Sequence, residues 1–139
     1  MLSVSRTVSG LLLVALSGCA AAPPPGMPAY GAGGSPQLFD GMGAHARRVT
    51  PRSPEDQSAV SQGLEWLFAF SHGEAVRAFT KAAEIDPGCA MAWWGVSYAQ
   101  GPNYNDPEMP PSRNVAAWDA LQRAVAALDD ETPVERALI

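Results

Sequence analysis

The strongest constraint on this chain is a succession of segments whose apolar residues recur every three or four positions, each closed by proline or glycine. That period lays side chains along one face of an α-helix. Ser53-Pro54-Glu55-Asp56 opens the first segment. The serine can accept from a free backbone N–H, proline sits where no N–H is required, and acids occupy the positive first turn. Val60, Leu64, Leu67 and Phe68 follow on one face, and Ser71-His72-Gly73 interrupts the run. A second helix is predicted from Glu74, grouping Ala75, Phe79, Ala82 and Ala83. It ends at Asp86, because Pro87 disfavours helical geometry in the residue before it. The third spans Ala90 to Gln100 with Trp93, Val96 and Tyr98, and Gly101 stops it. The fourth spans Val115 to Asp129 and aligns Trp118, Leu121, Val125 and Leu128. Thr132-Pro133-Val134-Glu135 then has the form of a capping box that starts a fifth helix. No segment alternates with the period of a strand, so the fold class read from the chain is all-α.

Ahead of Ser53 the chain changes character. Between Ala20 and Pro54 lie 7 of the 13 prolines and 6 of the 13 glycines. Such a stretch buries too little apolar surface to offset the entropy of ordering it. Residues 19–54 are therefore expected to form a flexible, partly polyproline spacer. Leu38-Phe39 could dock on the domain, but an unstructured segment is the expected state there, and Arg47, Arg48 and Arg52 form a solvated basic patch.

Residues 1–18 read as an address. Arg6 supplies a positive charge, and Val8 to Leu16 form an apolar run too short to span a bilayer of about 30 Å. Leu16-Ser17-Gly18-Cys19 resembles the lipobox of bacterial lipoproteins. That resemblance implies cleavage before Cys19, lipidation of Cys19, and attachment to the membrane through the lipid. Ala20 stands where an inner-membrane retention Asp is absent, which implies the periplasmic face of the outer membrane. Several acyl chains on Cys19 would make the anchorage stable.

Composition removes other classes. With 9 basic and 14 acidic residues, the chain has no clustered positive surface of the kind that phosphate backbones require, so no nucleic-acid partner is expected. Two cysteines exclude a disulfide scaffold. Once Cys19 is lipidated, Cys89 is the only thiol, and burial is its expected state. The length allows one domain with a small core.

Within 55–131, Gly63, Trp66, Ala75, Phe79, Ala82 and Pro87 resemble the tetratricopeptide repeat signature in type and spacing. Trp93, Val96, Ala99, Ala117, Leu121 and Ala124 resemble a second copy. The second copy has Ser97 where glycine is usual, Gln100 where an aromatic is usual, and an inserted loop over 101–114. The stretch from His72 through Trp93-Trp94-Gly95 to Asn105 is similar to a subgroup of longer secreted or lipid-anchored repeat proteins. The resemblance implies two helix–turn–helix hairpins of a solenoid after the tether. It also implies that 132–139 begins a further, truncated helix of a longer repeat protein.

No residues converge on chemistry. His45 lies in the tether and His72 in a turn, so no nucleophile–base pair is assembled and no catalytic residue is assigned. A helix of roughly 20 Å separates His72 from Cys89 and Met91, so no metal or cofactor is assigned either. In tetratricopeptide solenoids the first helix of each pair lines a concave face. Helical phase places Gln57, Val60, Leu64, Met91, Trp94 and Tyr98 there, with Trp93 turned into the core. The stiff loop adds Asn103, Tyr104, Asn105 and Asp106 as candidate recognition residues. The expected function is that of a lipid-anchored adaptor binding a protein or peptide. The alternative is the scaffold portion of a longer envelope enzyme or redox component.

Overall fold

The computed structural model describes residues 29–34, 37–50 and 53–139. Cys19 and the whole leader lie outside the described residues. Among those described, five helices and no strand occur: α1 (Pro54–Phe68), α2 (His72–Ile85), α3 (Ala90–Ala99), α4 (Pro111–Ala126) and α5 (Pro133–Leu138). The protein is all-α. Helix α1 packs on α2, α3 on α4, α2 on α3, and α1 touches α3.

Local chemistry sets the helix ends. The Ser53 hydroxyl accepts the Asp56 N–H at 3.1 Å, with Pro54 in the first turn. Helix α1 closes without glycine. Phe70 takes φ 58°, and the Ser71 N–H reaches back to the Trp66 carbonyl at 2.9 Å. This wrap of the last carbonyls normally uses glycine in the left-handed position. The turn is thus Ala69-Phe70-Ser71, and α2 begins at His72 instead of Glu74, with Gly73 inside the helix. Helix α4 starts four residues earlier than its hydrophobic pattern suggests, because Pro111 supplies a preset first-turn φ. In α5, Thr132 and Glu135 form both arms of the capping box.

The core is built from small residues around one large ring. Phe79 is fully buried between Gly63 of α1 and Gly95 of α3. Ala59, Val60 and Leu64 of α1, Ala75 and Ala82 of α2, and Cys89, Met91, Ala92 and Val96 around α3 complete it. Helix α4 contributes Ala120 to this cluster and buries Ala124 beside it. Trp118 and Val125, expected in the packing stripe, are instead exposed. The alanine face lets α3 and α4 approach closely and leaves the larger side chains outside.

Segments 29–34 and 37–50 do not stand away from the helices as a spacer would. Val49 is buried in the core cluster, and Tyr30 and Leu38 pack against it. The backbone of Tyr30 pairs with Gln100, that of Phe39 with Gln62, and that of Arg47 and Val49 with Gln57. Thr50 donates its N–H and hydroxyl to Glu135 at 2.6 and 2.7 Å, joining this strap to α5. Burial pushes the Glu135 carboxyl up, but hydrogen bonds from Thr132 and Thr50 outweigh it and hold the group below its ordinary range.

Candidate functional site: an aromatic cleft

The concave-face expectation separates into buried and exposed parts. Val60, Leu64 and Met91 are core residues, buried because α3 and Val49 share their cluster. Gln57 is engaged with the strap. Trp94 is partly buried and stacks on the exposed Tyr98, with ring centroids 5.2 Å apart. Trp93 is also only partly buried. Its indole N–H donates to the Pro87 carbonyl at 3.0 Å, and the Arg123 guanidinium lies 4.7 Å from the ring.

The loop residues also divide. The Asn103 side-chain oxygen accepts the N–H groups of Asn105 and Asp106, and Asn103 and Asp106 bridge as a short antiparallel pair. Asp106 accepts the Tyr30 hydroxyl at 2.5 Å and Arg113 at 2.8 Å. These two donors hold its carboxyl below the usual range. Burial, with the Asp106 carboxylate beside it, raises the Tyr30 phenol. The fully buried Arg113 also donates to the Glu108 carbonyl and lies 4.4 Å over the Tyr30 ring. Asn103 and Asp106 are therefore spent on holding the loop to the strap. What the loop projects is Tyr104, 91% exposed, with the exposed Asn105 beside it.

Tyr104 lines an open cleft of about 290 Å³. Phe68, at the end of α1, Phe70, in the turn, and Tyr98, from α3, line it with Tyr104. Leu67 and His72 are its buried lining, and Pro102 and Asn103 complete the rim. The His72 ring lies 5.7 Å from Tyr30 and 6.4 Å from Phe70, and His45 meets the Phe68 ring edge-on at 5.7 Å. His72 is thus the packed first residue of α2 and not a turn residue. No Asp, Glu, Lys or Arg lines the cleft.

Phe68 and Phe70 were not legible as site residues. Phe68 shares the phase of Leu64 and Leu67, yet it sits on the last turn, where the neighbouring helix no longer covers it. The available signal was Phe68-Ala69-Phe70 immediately before Ser71-His72-Gly73, where the apolar period stops: two large rings where small turn residues are the rule. A bulky residue with positive φ is strained, and such strain concentrates at functional positions.

Among the described residues no group of three or more His, Cys, Asp and Glu could hold a metal ion. No helix among them is long and apolar enough to cross a membrane. Cys89 is buried beside Asp56, and burial together with that carboxylate pushes its thiol up to about 12. So high a value leaves almost no thiolate at neutral pH for nucleophilic work. Among the described residues, fold and cleft define an all-α protein with a solvent-facing aromatic surface. The chain matches no family model, no curated protein and no solved structure.

Proposed function

We propose that this chain is a lipid-anchored adaptor of the bacterial cell envelope, whose two tetratricopeptide-like hairpins bind a protein or peptide partner. The aromatic cleft carries the reading. Four rings (Phe68, Phe70, Tyr98 and Tyr104) face water, one of them on a strained backbone, in a protein whose core consists mostly of alanine and valine. Rings left in solvent at that cost fit apolar or aromatic side chains of a partner. The order of helix packing, α1 on α2, α2 on α3 and α3 on α4, is compatible with stacked hairpins. The lipobox resemblance at Leu16–Cys19 supports the anchor and the periplasmic face of the outer membrane.

A photoreactive benzophenone residue placed at Tyr104 in the full chain should crosslink to a discrete envelope protein. Tyr98→Ala should reduce the yield at least fivefold. Phe70→Gly should do the same while raising the melting temperature by several degrees, because relief of a left-handed non-glycine residue is worth about 1 kcal/mol. A crosslink unaffected by both substitutions would remove the cleft from the proposal. For the anchor, Cys19→Ser should move the protein from the membrane fraction to the soluble fraction, read by immunoblot.

A second reading makes the hairpins the scaffold of a longer envelope enzyme or redox component. One observation favours it: α4 turns Val115, Trp118 and Val125 to solvent, a stripe on which a further helix would stack. The intact mass of the native protein separates the two readings.

A further inference from the structure

The aromatic cleft holds one polar group that neither the fold nor the rings account for. His72 is 9% exposed and lines the cleft beside Leu67. Its ring meets those of Tyr30 and Phe70, and among the described residues its nitrogens make no hydrogen bond. They are not sealed from solvent either, so a buried imidazole is presented at the cleft wall. An imidazole carries at least one N–H donor in either protonation state, and a buried donor without an acceptor costs free energy.

The same residue heads α2, a helix of 14 residues. Ser71 gives it no side-chain cap, and the first backbone bond is donated by Ala75, to the Ser71 carbonyl at 2.9 Å. The N–H groups of His72, Gly73 and Glu74 therefore have no partner among the described residues. Together they place positive potential at that helix end. Glu74, the one acid in the turn, is held by Arg77. Of the other polar groups on the lining, the Asn103 side-chain oxygen is already taken by the Asn105 and Asp106 N–H groups, whereas the Tyr98 and Tyr104 hydroxyls can donate. Aromatic faces can attract a cation. Here a cation would also meet an imidazole donor and the positive end of a helix, with no carboxylate in the lining to offset them.

The lining is graded by depth. Its buried residues bring the imidazole and Leu67, and its most exposed ones are rings. A linear molecule with an anionic head and an apolar tail matches that order. A peptide C-terminus matches it less well, because its carboxylate and last side chain branch from one carbon. We propose that the cleft binds a small apolar monocarboxylate, an aryl- or alkyl-substituted alkanoic acid. Its carboxylate accepts from the His72 N–H at the head of α2, and its tail lies among Phe68, Phe70, Tyr98 and Tyr104. The cleft volume of about 290 Å³ lies at the small end for ligand pockets and suits a molecule of this size. The inference goes beyond the adaptor reading and does not depend on it.

The probe is 3-phenylpropanoate, titrated against the full chain by calorimetry and by NMR, with 3-phenylpropanamide as its uncharged counterpart. The acid should bind about tenfold tighter than the amide, as a hydrogen bond to a charged group requires. His72→Leu should abolish that preference, and His72→Gln, which restores an N–H donor, should recover part of it. Tyr98→Ala should weaken acid and amide alike, because it removes a wall of the tail and leaves the head untouched. In the unaltered chain the His72 ring resonances should shift with the acid to saturation, a readout that requires no variant to fold. Equal binding of acid and amide, a preference that survives His72→Leu, or an unmoved His72 ring overturns the proposal. So does tighter binding of N-acetyl-glycyl-phenylalanine as the free acid, which would assign the site to a chain terminus. None of these titrations involves an envelope partner, so their failure beside a preserved Tyr104 crosslink would leave the adaptor reading standing.

Discussion

Replacing Gly95 with alanine is expected to destabilise the protein by about 3 kcal/mol, at the upper end of what overpacking costs. The reason lies on both sides of Phe79. A methyl group built at Gly63 would come within 2.6 Å of the ring, and one at Gly95 would come closer still. The ring is wholly buried, so it cannot yield to one helix without striking the other. The intrinsic helix preference for alanine returns about 1 kcal/mol, which is too little to offset the clash. For a domain of this size the melting temperature should fall by on the order of 10–20 °C, measured by circular dichroism. The diagnostic variant is the double one. Phe79→Leu alone should destabilise by opening a cavity, yet combined with Gly95→Ala it should be more stable than the sum of the single effects predicts, by at least 1 kcal/mol. Simple additivity would show that Gly95 is small for some reason other than this ring.

The second large effect concerns pH. Asp56 lies in the first turn of α1, has no exposed surface, and neither carboxylate oxygen has a well-formed hydrogen bond. Burial raises its pKa from 3.8 to about 6; the adjacent Cys89 thiol partly offsets this and the Asp86 charge adds to it. The folded pKa therefore exceeds the unfolded one. Below about pH 3 both states carry the proton and nothing is lost. As pH rises towards and through 6, the unfolded state has already released its proton and the folded state must follow at a cost. The full penalty at neutral pH is about 3 kcal/mol, of which roughly half accrues between pH 5 and 7.5. The melting temperature should fall by on the order of 5–10 °C across that window. Asp56→Asn should abolish the slope. The carboxyls of Glu74, Asp106 and Glu135 are held low, so their contributions change sign and fall at more acid pH, outside this window. An unchanged slope in Asp56→Asn would place the pH dependence elsewhere.

These two residues show how unevenly the fold was legible. Asp56 was readable as a first-turn acid after Ser53-Pro54, and the helix begins there. That it turns inward towards Cys89 depends on a contact 33 positions away in the chain, which no local pattern records. Gly95 lay inside a strong helical segment and gave no sign of its role, because the ring it accommodates belongs to α2. Gly73 misled in the opposite direction: glycine suggested the turn, whereas the left-handed residue is Phe70 and Gly73 is helical. The strap was least legible of all. Its prolines and glycines correctly signal a stretch with little apolar surface, but it is held by backbone bonds to Gln57, Gln62 and Gln100, which composition does not reveal. Of the candidate site, Tyr98 and Tyr104 were readable from phase and loop position. Phe68 and Phe70 required the geometry of the helix end.

The spacing of the strap's attachments has a mechanical consequence. Tyr30, Phe39 and Val49 are anchored 9 and 10 residues apart, and each interval can extend to about 30 Å. A pull applied from the N-terminal side loads the Tyr30 attachment alone until it yields. Only after the freed slack is drawn out does tension reach Phe39, and after that Val49 and Thr50. The attachments therefore break in succession, as the teeth of a zipper do, at far lower force than if all were sheared together. Tension from the N-terminal side would peel the strap before it strained the helices beneath.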